Sequence, residues 1–307
     1  MRVAIIGQQA FGKAVLEAFL GRGDAVAGVF VAPEPPGSRP DLLHAAAIDK
    51  GVPVFPTAHY GAPEAIDSLR RLEVDLGIMA YVTAFVPERF CRVPRLGTIQ
   101  FHPSLLPQHR GPHSITWPII LGRRRTGLSI FRPVNGLDEG AVILQKEVEI
   151  LPDDTLGSVY FDKIFPLGVA ALLEAADLVA TGKAREEPQD ESRATYESWV
   201  RDAESQIVWA HHVDTIYDLI RGCNPAPGAW TTIGSRRLYL FDARKRVART
   251  FAEVKGRRPG EVVAATAVNI TIHAPGGFIE LLRCRFEDGK KIAAGEAGIA
   301  VGTVLGV

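Results

Sequence analysis

The 307-residue sequence predicts an α/β fold, a doubly wound and mostly parallel sheet followed by a small C-terminal β-barrel of OB-like type. Three observations carry this reading. Up to about residue 150, short apolar runs alternate with amphipathic stretches; beyond Gln206 the pattern changes to short strands with Gly-rich turns; a charged, Pro-containing stretch lies between. At roughly 100–200 residues per domain the length fits two domains, placed at residues 1–203 and 204–307.

The strands come first. Val3 to Ile6, Ala25 to Val31, Leu76 to Met79 and Thr98 to Phe101 are short apolar runs, as expected of parallel strands covered on both faces. Phe11 to Leu20, Asp41 to Lys50 and Ala62 to Leu72 place apolar residues at helical spacing between them. Gly127 to Phe131 and Ala141 to Ile150 follow as two strands joined by 132–140. Pro152–Asp153–Asp154–Thr155 opens one long helix with an Asp or Thr as N-cap, its apolar positions running through Tyr160, Ile164, Leu167 and Leu172 to about Leu178. Arg185 to Arg193, with Glu186, Glu187, Pro188, Asp190 and Glu191, reads as a linker. In the second domain, His211 to Arg221 is a helix, and Arg236 to Phe241, Glu261 to Ala265 and Asn269 to His273 are strands.

Composition narrows the function. Lys plus Arg number 35 and Asp plus Glu 35, so bulk charge offers no attraction to nucleic acid or an anionic membrane. With 47% hydrophobic and 23% charged residues the chain is globular, and no apolar run reaches the length of a membrane span. Cys91, Cys223 and Cys284 are too scattered for a disulfide framework or a zinc site and are expected as buried thiols. MRVAIIG runs directly into a strand without the features of a signal peptide, so the expected location is cytoplasmic.

In doubly wound sheets ligands bind beyond the carboxyl ends of the strands, so polar residues in those turns are the candidates. Gly7 to Lys13 has the spacing of a phosphate loop, but Ala14 stands where a Mg²⁺-binding hydroxyl is needed; Gln8 is retained as a substrate contact. Arg123–Arg124–Arg125 reads as a solvated turn, and His211–His212, adjacent on a helix, point about 100° apart and suit no common metal ion. The segment Arg95 to Gly111, RLGTIQFHPSLLPQHRG, differs from these. A strand ends at His102, and Pro103 and Pro107 forbid a helix across the turn, which puts an imidazole on a fixed support suited to proton transfer. Asn135–Gly136–Leu137–Asp138–Glu139–Gly140 presents an acid on a tight loop. Singly, His102 and Asp138 are each compatible with a purely structural role.

Taken together, HPSLLP and GLDEG resemble the folate-dependent formyltransferase family. MRVAIIGQQAFGKAV, FHPSLLPQHRG, SIFRPVNGLDEGAVILQKEVEILPDDT, IRGCNPAPGAW and LLRCRFEDGKKI look most like the N-terminal hydrolase domain of 10-formyltetrahydrofolate dehydrogenase, and methionyl-tRNA formyltransferase is similar as well. The resemblance implies that His102 and Asp138 are catalytic and that Ala84, Phe85 and Val86 bind the pterin through their backbone; Ser104 and Gln8 are further candidate substrate contacts. It implies 10-formyltetrahydrofolate as formyl donor, tetrahydrofolate as product and no metal. Gln100 stands where the family's transferases carry Asn; its amide still donates, displaced by about 1.5 Å by one methylene.

The expected activity is therefore release or transfer of the formyl group of 10-formyltetrahydrofolate. NADP-dependent oxidation is not expected, because the resemblance does not extend to the aldehyde-dehydrogenase and carrier portions. The alternatives are N-formylation of a small amine, on a sugar nucleotide or an amino acid, and a catalytically degenerate folate-binding module. A tRNA acceptor is disfavoured: Ala32 to Arg39 is short and holds a single Arg where the tRNA enzymes carry a longer basic insertion. Nothing in the sequence specifies an oligomeric state.

Overall fold

The computed structural model describes residues 1–307. They form two compact units, one of residues 1–111, 127–148 and 163–196, the other of residues 112–126, 149–162 and 197–307. The elements up to the end of the large sheet are β1 (Arg2–Gly7), α1 (Gln9–Gly21), β2 (Ala25–Val31), α2 (Leu42–Asp49), β3 (Val54–Pro56), α3 (Pro63–Arg71), β4 (Leu76–Ala80), α4 (Glu88–Cys91), β5 (Thr98–His102), α5 (Thr116–Ile120), β6 (Arg125–Phe131) and β7 (Val142–Glu149).

The sheet has the order β3-β2-β1-β4-β5-β6-β7. The pairs β1–β2, β1–β4, β2–β3 and β4–β5 are parallel, and β5–β6 is antiparallel. This is the mostly parallel, doubly wound sheet expected. Chain order reverses between β1 and β4, which makes the turns following those strands the crevice of the fold. The strands touch closely there: a Cβ on Gly7 would lie 1.9 Å from the Ala80 carbonyl oxygen, so only glycine fits. β3 escaped the sequence reading because it is three residues long and only partly buried.

Aromatic packing supports β5. Phe101 stacks on Phe11 of α1 with ring centroids 4.4 Å apart, and Phe165 meets Phe11 edge-on at 5.3 Å. Side chains buried this way each contribute about 1.5–3 kcal/mol, and the stacked geometry adds about 0.5–1.5 kcal/mol.

Two expectations are corrected. The long helix after Pro152 is divided into α6 (Leu156–Ser158), a π-helix over Val159–Ile164, and α7 (Phe165–Ala180). Thr155 caps α6, accepting from the Ser158 N–H while the Ser158 hydroxyl accepts from the Thr155 N–H. Pro166 explains the wide turn: it has no N–H for residue 162, and its ring would collide with that carbonyl in a continuous α-helix. The second correction concerns 185–193, which is no free linker. Val142 and Glu187 exchange both backbone hydrogen bonds, at 2.8 and 2.9 Å, and Arg132 pairs with Glu186 at 2.9 Å. Charge that reads as solvation in the sequence is partner chemistry in the fold.

The second unit continues with α8 (Asp202–Ser205), α9 (Val213–Gly222), β8 (Ala229–Ile233), β9 (Arg236–Leu240), β10 (Ala243–Val247), α10 (Phe251–Val254), β11 (Val262–Ala265), β12 (Ile270–Ala274), β13 (Gly277–Leu281), β14 (Arg283–Phe286) and β15 (Ile292–Ala293). Its strands form two four-stranded antiparallel sheets, β10-β13-β12-β11 and β15-β14-β9-β8. Leu238, Leu240, Ile272 and Ile279 from the two sheets share one apolar core with Ile216 and Ile220 of α9. His211 and His212 precede α9 rather than lying on it; His212 is the N-cap, its Nδ1 accepting from the Asp214 N–H at 3.3 Å. The three cysteines are free and buried, and burial pushes the Cys91 and Cys223 thiols up to about 12 and Cys284 to about 11. No helix is long and apolar enough to cross a membrane.

Candidate active site

The crevice between β1 and β4 does not receive a phosphate. The Gln9 N–H, at φ +63°, donates to both oxygens of Asp41, at 2.9 and 2.8 Å. Asp41 also caps α2 through the Leu43 N–H at 2.9 Å. A carboxylate already occupies the positive end of α1, so a phosphate there would meet like charge. Gln8 reaches the other way: its Nε2 donates to Thr83 Oγ1 at 3.1 Å. That places Gln8 against the loop 81–87, where Ala84 is exposed, Val86 is buried and Phe85 is 67% exposed.

At the end of β5, His102 is only 5% exposed. The turn beyond it is pinned from β6 and β7. The fully buried Ser129 hydroxyl donates to the Ser104 carbonyl at 2.7 Å and accepts from the Leu106 N–H at 3.0 Å, while Gln145 Nε2 donates to the Leu106 carbonyl at 2.8 Å. The Ser104 hydroxyl is engaged inside the turn, donating to the Gln108 carbonyl at 2.6 Å. His102 Nε2 lies 2.9 Å from the His109 carbonyl oxygen. A carbonyl only accepts, so Nε2 carries a proton, and the other ring nitrogen is left for chemistry. That nitrogen, Nδ1, lies 3.5 Å from Asp138 Oδ2. In the neutral ring its lone pair would face the carboxylate; with a proton on Nδ1 or on the carboxyl the two attract. Gln100, two residues earlier, shares the strand face of His102, while Phe101 points to the opposite one.

Asp138 sits at φ +52° and His109 at φ +58°. Left-handed backbone at a residue with a Cβ costs about 1–2 kcal/mol, and such strain persists only where neighbours enforce it. The neighbours are visible. Asp138 Oδ2 accepts from the Gly111 N–H at 2.8 Å, and the Asp138 and Gly140 carbonyls both accept from Gln189 Nε2 at 2.9 Å. Gly140, at φ +104°, has no room for a Cβ, which would lie 2.0 Å from the Arg132 carbonyl oxygen. Asn135 fastens the other end of the loop, its Oδ1 accepting from the Glu88 N–H at 3.0 Å.

Behind this loop lies Arg110, whose side chain is completely buried. Its guanidinium donates to both Glu191 oxygens at 2.6 and 2.9 Å, to Gln189 Oε1 at 2.8 and 3.2 Å, and to the Tyr196 hydroxyl. Tyr196 in turn donates to Glu139 Oε1 at 3.1 Å. The hydrogen bond from Arg110 holds Glu191 below the usual carboxylate range, and Glu191 raises Arg110 in return. None of Arg110, Gln189, Glu191 or Tyr196 is singled out by the sequence as a site residue; the one clue is an Arg two residues after Gln108, facing an acidic stretch some 80 positions downstream.

The geometry thus brings His102, Asp138 and the β5 face bearing Gln100 together, with Gln8 and the loop 81–87 beyond the neighbouring strands. Comparison with known proteins identifies the family. Residues 1–175 match the formyl transferase family, and residues 200–298 match the formyl transferase C-terminal domain. Cytosolic 10-formyltetrahydrofolate dehydrogenase of Xenopus tropicalis is 34% identical over 307 residues, covering 96% of this chain and 34% of that protein. The chain therefore spans about a third of the length of that relative. Methionyl-tRNA formyltransferase of Syntrophus aciditrophicus (strain SB) is 32% identical over 313 residues, covering 99% of this chain and 98% of the relative. Among solved structures, HypX from Aquifex aeolicus in complex with tetrahydrofolic acid superposes with a TM-score of 0.69 at 18% identity, covering 96% of this chain and 46% of that one. With both of the family's domains present in sequence and fold, the chain belongs to the folate-dependent formyltransferase family.

Proposed function

We propose that this chain hydrolyses 10-formyltetrahydrofolate to tetrahydrofolate and formate. The observation that carries the reading is the buried His102–Asp138 pair, with Nε2 committed to the His109 carbonyl and Nδ1 facing the carboxylate at 3.5 Å. The pterin lies against the backbone of Ala84, Phe85 and Val86, near Gln8. The positive charge of protonated His102 and the Gln100 amide stabilise the negative charge that develops on the formyl oxygen. Gly111 and His102 engage Oδ2 of Asp138, which leaves Oδ1 to orient a water and take its proton. The water oxygen bonds to the formyl carbon, the bond from that carbon to N10 breaks, and N10 takes up a proton. Formate, tetrahydrofolate and one released proton balance the reaction. Ser104 supports substrate binding by holding the turn.

Water is favoured as acceptor because Gln100 reaches about 1.5 Å further than Asn would, which narrows the space for a larger nucleophile. Transfer to an amine is the second reading, favoured by a methionyl-tRNA formyltransferase matched along nearly its whole length; the short, weakly basic segment 32–39 then points to a small amine rather than tRNA.

The test is turnover of 10-formyltetrahydrofolate with no acceptor present, with His102→Ala alongside. Equimolar formate and tetrahydrofolate are expected, reduced by roughly 10²–10⁴-fold in the variant, the usual range for a general acid–base group. Formylation of an added amine without formate release would establish the second reading. Folate binding with neither product would overturn both.

A further inference from the structure

We infer that Gln189 is a positioning residue for the reaction, holding Asp138 in its strained conformation through a closed ring of hydrogen bonds. The inference rests on the catalytic role proposed for Asp138. Gln189 is half-buried between exposed Pro188 and Asp190, so it is the inward-facing residue of a segment that otherwise meets water. Its amide nitrogen donates to the Asp138 and Gly140 carbonyls, both at 2.9 Å, and its oxygen accepts from Arg110 Nη2 at 2.8 Å and Nε at 3.2 Å. Two N–H groups and two lone pairs are all that a carboxamide has, and here all are used. The orientation is also unambiguous, because two acceptors lie on one side and two donors on the other.

The ring then closes through the chain. Arg110 is followed by Gly111, whose N–H holds the Asp138 carboxylate at 2.8 Å. Asp138 is therefore gripped twice, at its carboxylate by Gly111 and at its carbonyl by Gln189, and both grips lead back to the 110–111 peptide. Fixing both ends of a residue at φ +52° sets where its carboxylate points. The segment bearing Gln189 is anchored independently by the Val142–Glu187 backbone pair and the Arg132–Glu186 ion pair, so Gln189 bears on the loop from a fixed base.

Gln189→Glu keeps the size and the contact to Arg110 but sets a carboxylate oxygen against two carbonyls. Gln189→Met fills the same space with no polar group. Both are expected to lower kcat on the order of 10–100-fold, as small misplacements of catalytic groups do, with KM for 10-formyltetrahydrofolate within about twofold. In an Asp138→Asn background Gln189→Met should add almost nothing, because residues acting through one group are non-additive. A readout independent of activity is amide hydrogen exchange. Exchange at Gly111 should quicken about tenfold in Gln189→Met, while amides of β1 and β4 keep their rates. An unchanged kcat, or unchanged Gly111 exchange, in a variant of wild-type thermal stability overturns the inference. If the wild-type chain releases no formate, the hydrolase reading fails, and Gly111 exchange alone then decides whether Gln189 positions Asp138.

Discussion

Arg110 of the first unit and the cations on the strands of the second are held in different ways. Arg110 in the first is fully buried and bonded by directional donors to Glu191, Gln189 and Tyr196. In the second, the cations lie over ring faces: Arg236 over Phe286 and Arg237 over Trp230, each at 3.9 Å, Arg285 over Tyr239 at 4.7 Å, and Lys291 over Phe241 at 3.9 Å. A hydrogen bond has a preferred line, whereas a cation slides over a ring at little cost. The backbone shows the same contrast. In the first unit Gln9, Glu73, Tyr81, His109 and Asp138 adopt a positive φ despite their side chains, whereas in the second only His113 does, and between residues 197 and 307 every positive φ belongs to a glycine. Strain and a buried hydrogen-bond network occur together around Asp138, whereas the strand cations of the second unit add ring contacts to exposed ion pairs such as Arg237–Asp202 and Arg246–Glu253.

The largest effect is expected from removing the charge that the network aims. Asp138→Asn keeps size and shape, and the Gly111 N–H still finds an oxygen, so stability should change by less than about 1 kcal/mol. Turnover, measured at saturating 10-formyltetrahydrofolate, should fall roughly 10²–10⁴-fold. Breaking the support comes next. Arg110→Met removes every polar contact of the buried guanidinium, and about 2–3 kcal/mol of stability should be lost in urea titration. The figure is not larger because Glu191 and Glu139 are themselves partly exposed and regain water. If Arg110→Met instead unfolds no more readily than wild type, the directional network is not what holds the loop.

Acid sharpens the same point. Glu191 is held below its ordinary value of 4.5 mainly by the hydrogen bond from Arg110. A carboxylate depressed in the folded state contributes stability above its unfolded pKa, and loses it as pH falls through the lower folded value. Wild type should therefore exceed Glu191→Gln in Tm at pH 7, with the gap closing as the pH is taken below about 4. A gap that persists to the lowest pH at which the protein stays folded would mean that the contact does not depend on Glu191 charge.

Much of the fold was legible because it rests on repeating patterns. β1, β2 and β4 are apolar runs long enough to recognise, and the proline-pinned turn fixes where the imidazole of His102 must emerge. The capping of α2 by Asp41 is legible as a helix start, but its second role, closing the phosphate end of α1, depends on a contact with Gln9, 32 positions earlier in the chain. The same limit hid Arg110 and Gln189. Their chemistry is a set of long-range bonds between a turn and a segment some 80 residues later, and a charged stretch reads as solvated until its buried partner is known. The π-helix at 159–164 was hidden for a different reason: Tyr160, Ile164 and Leu167 keep an apolar spacing that both helix types satisfy, and only Pro166 betrays the interruption.

The smallest effect is expected in the second unit, and its sign carries the comparison. Arg285 stacks on Tyr239 and reaches the edge of contact with Phe241 at 5.9 Å, yet its Nε is buried with no hydrogen-bond partner. The stacking is worth about 0.5–2 kcal/mol. An unsatisfied buried donor costs about 1–3 kcal/mol. Arg285→Met keeps the stem's apolar contacts, gives up the first and relieves the second, so stability should change by less than about 1 kcal/mol and can rise. Turnover should be unaltered, since the residue touches none of the groups around Asp138. A loss of 2 kcal/mol or more would mean that the ring contacts bind as directionally as the bonds of Arg110, and the contrast between the two units would not stand.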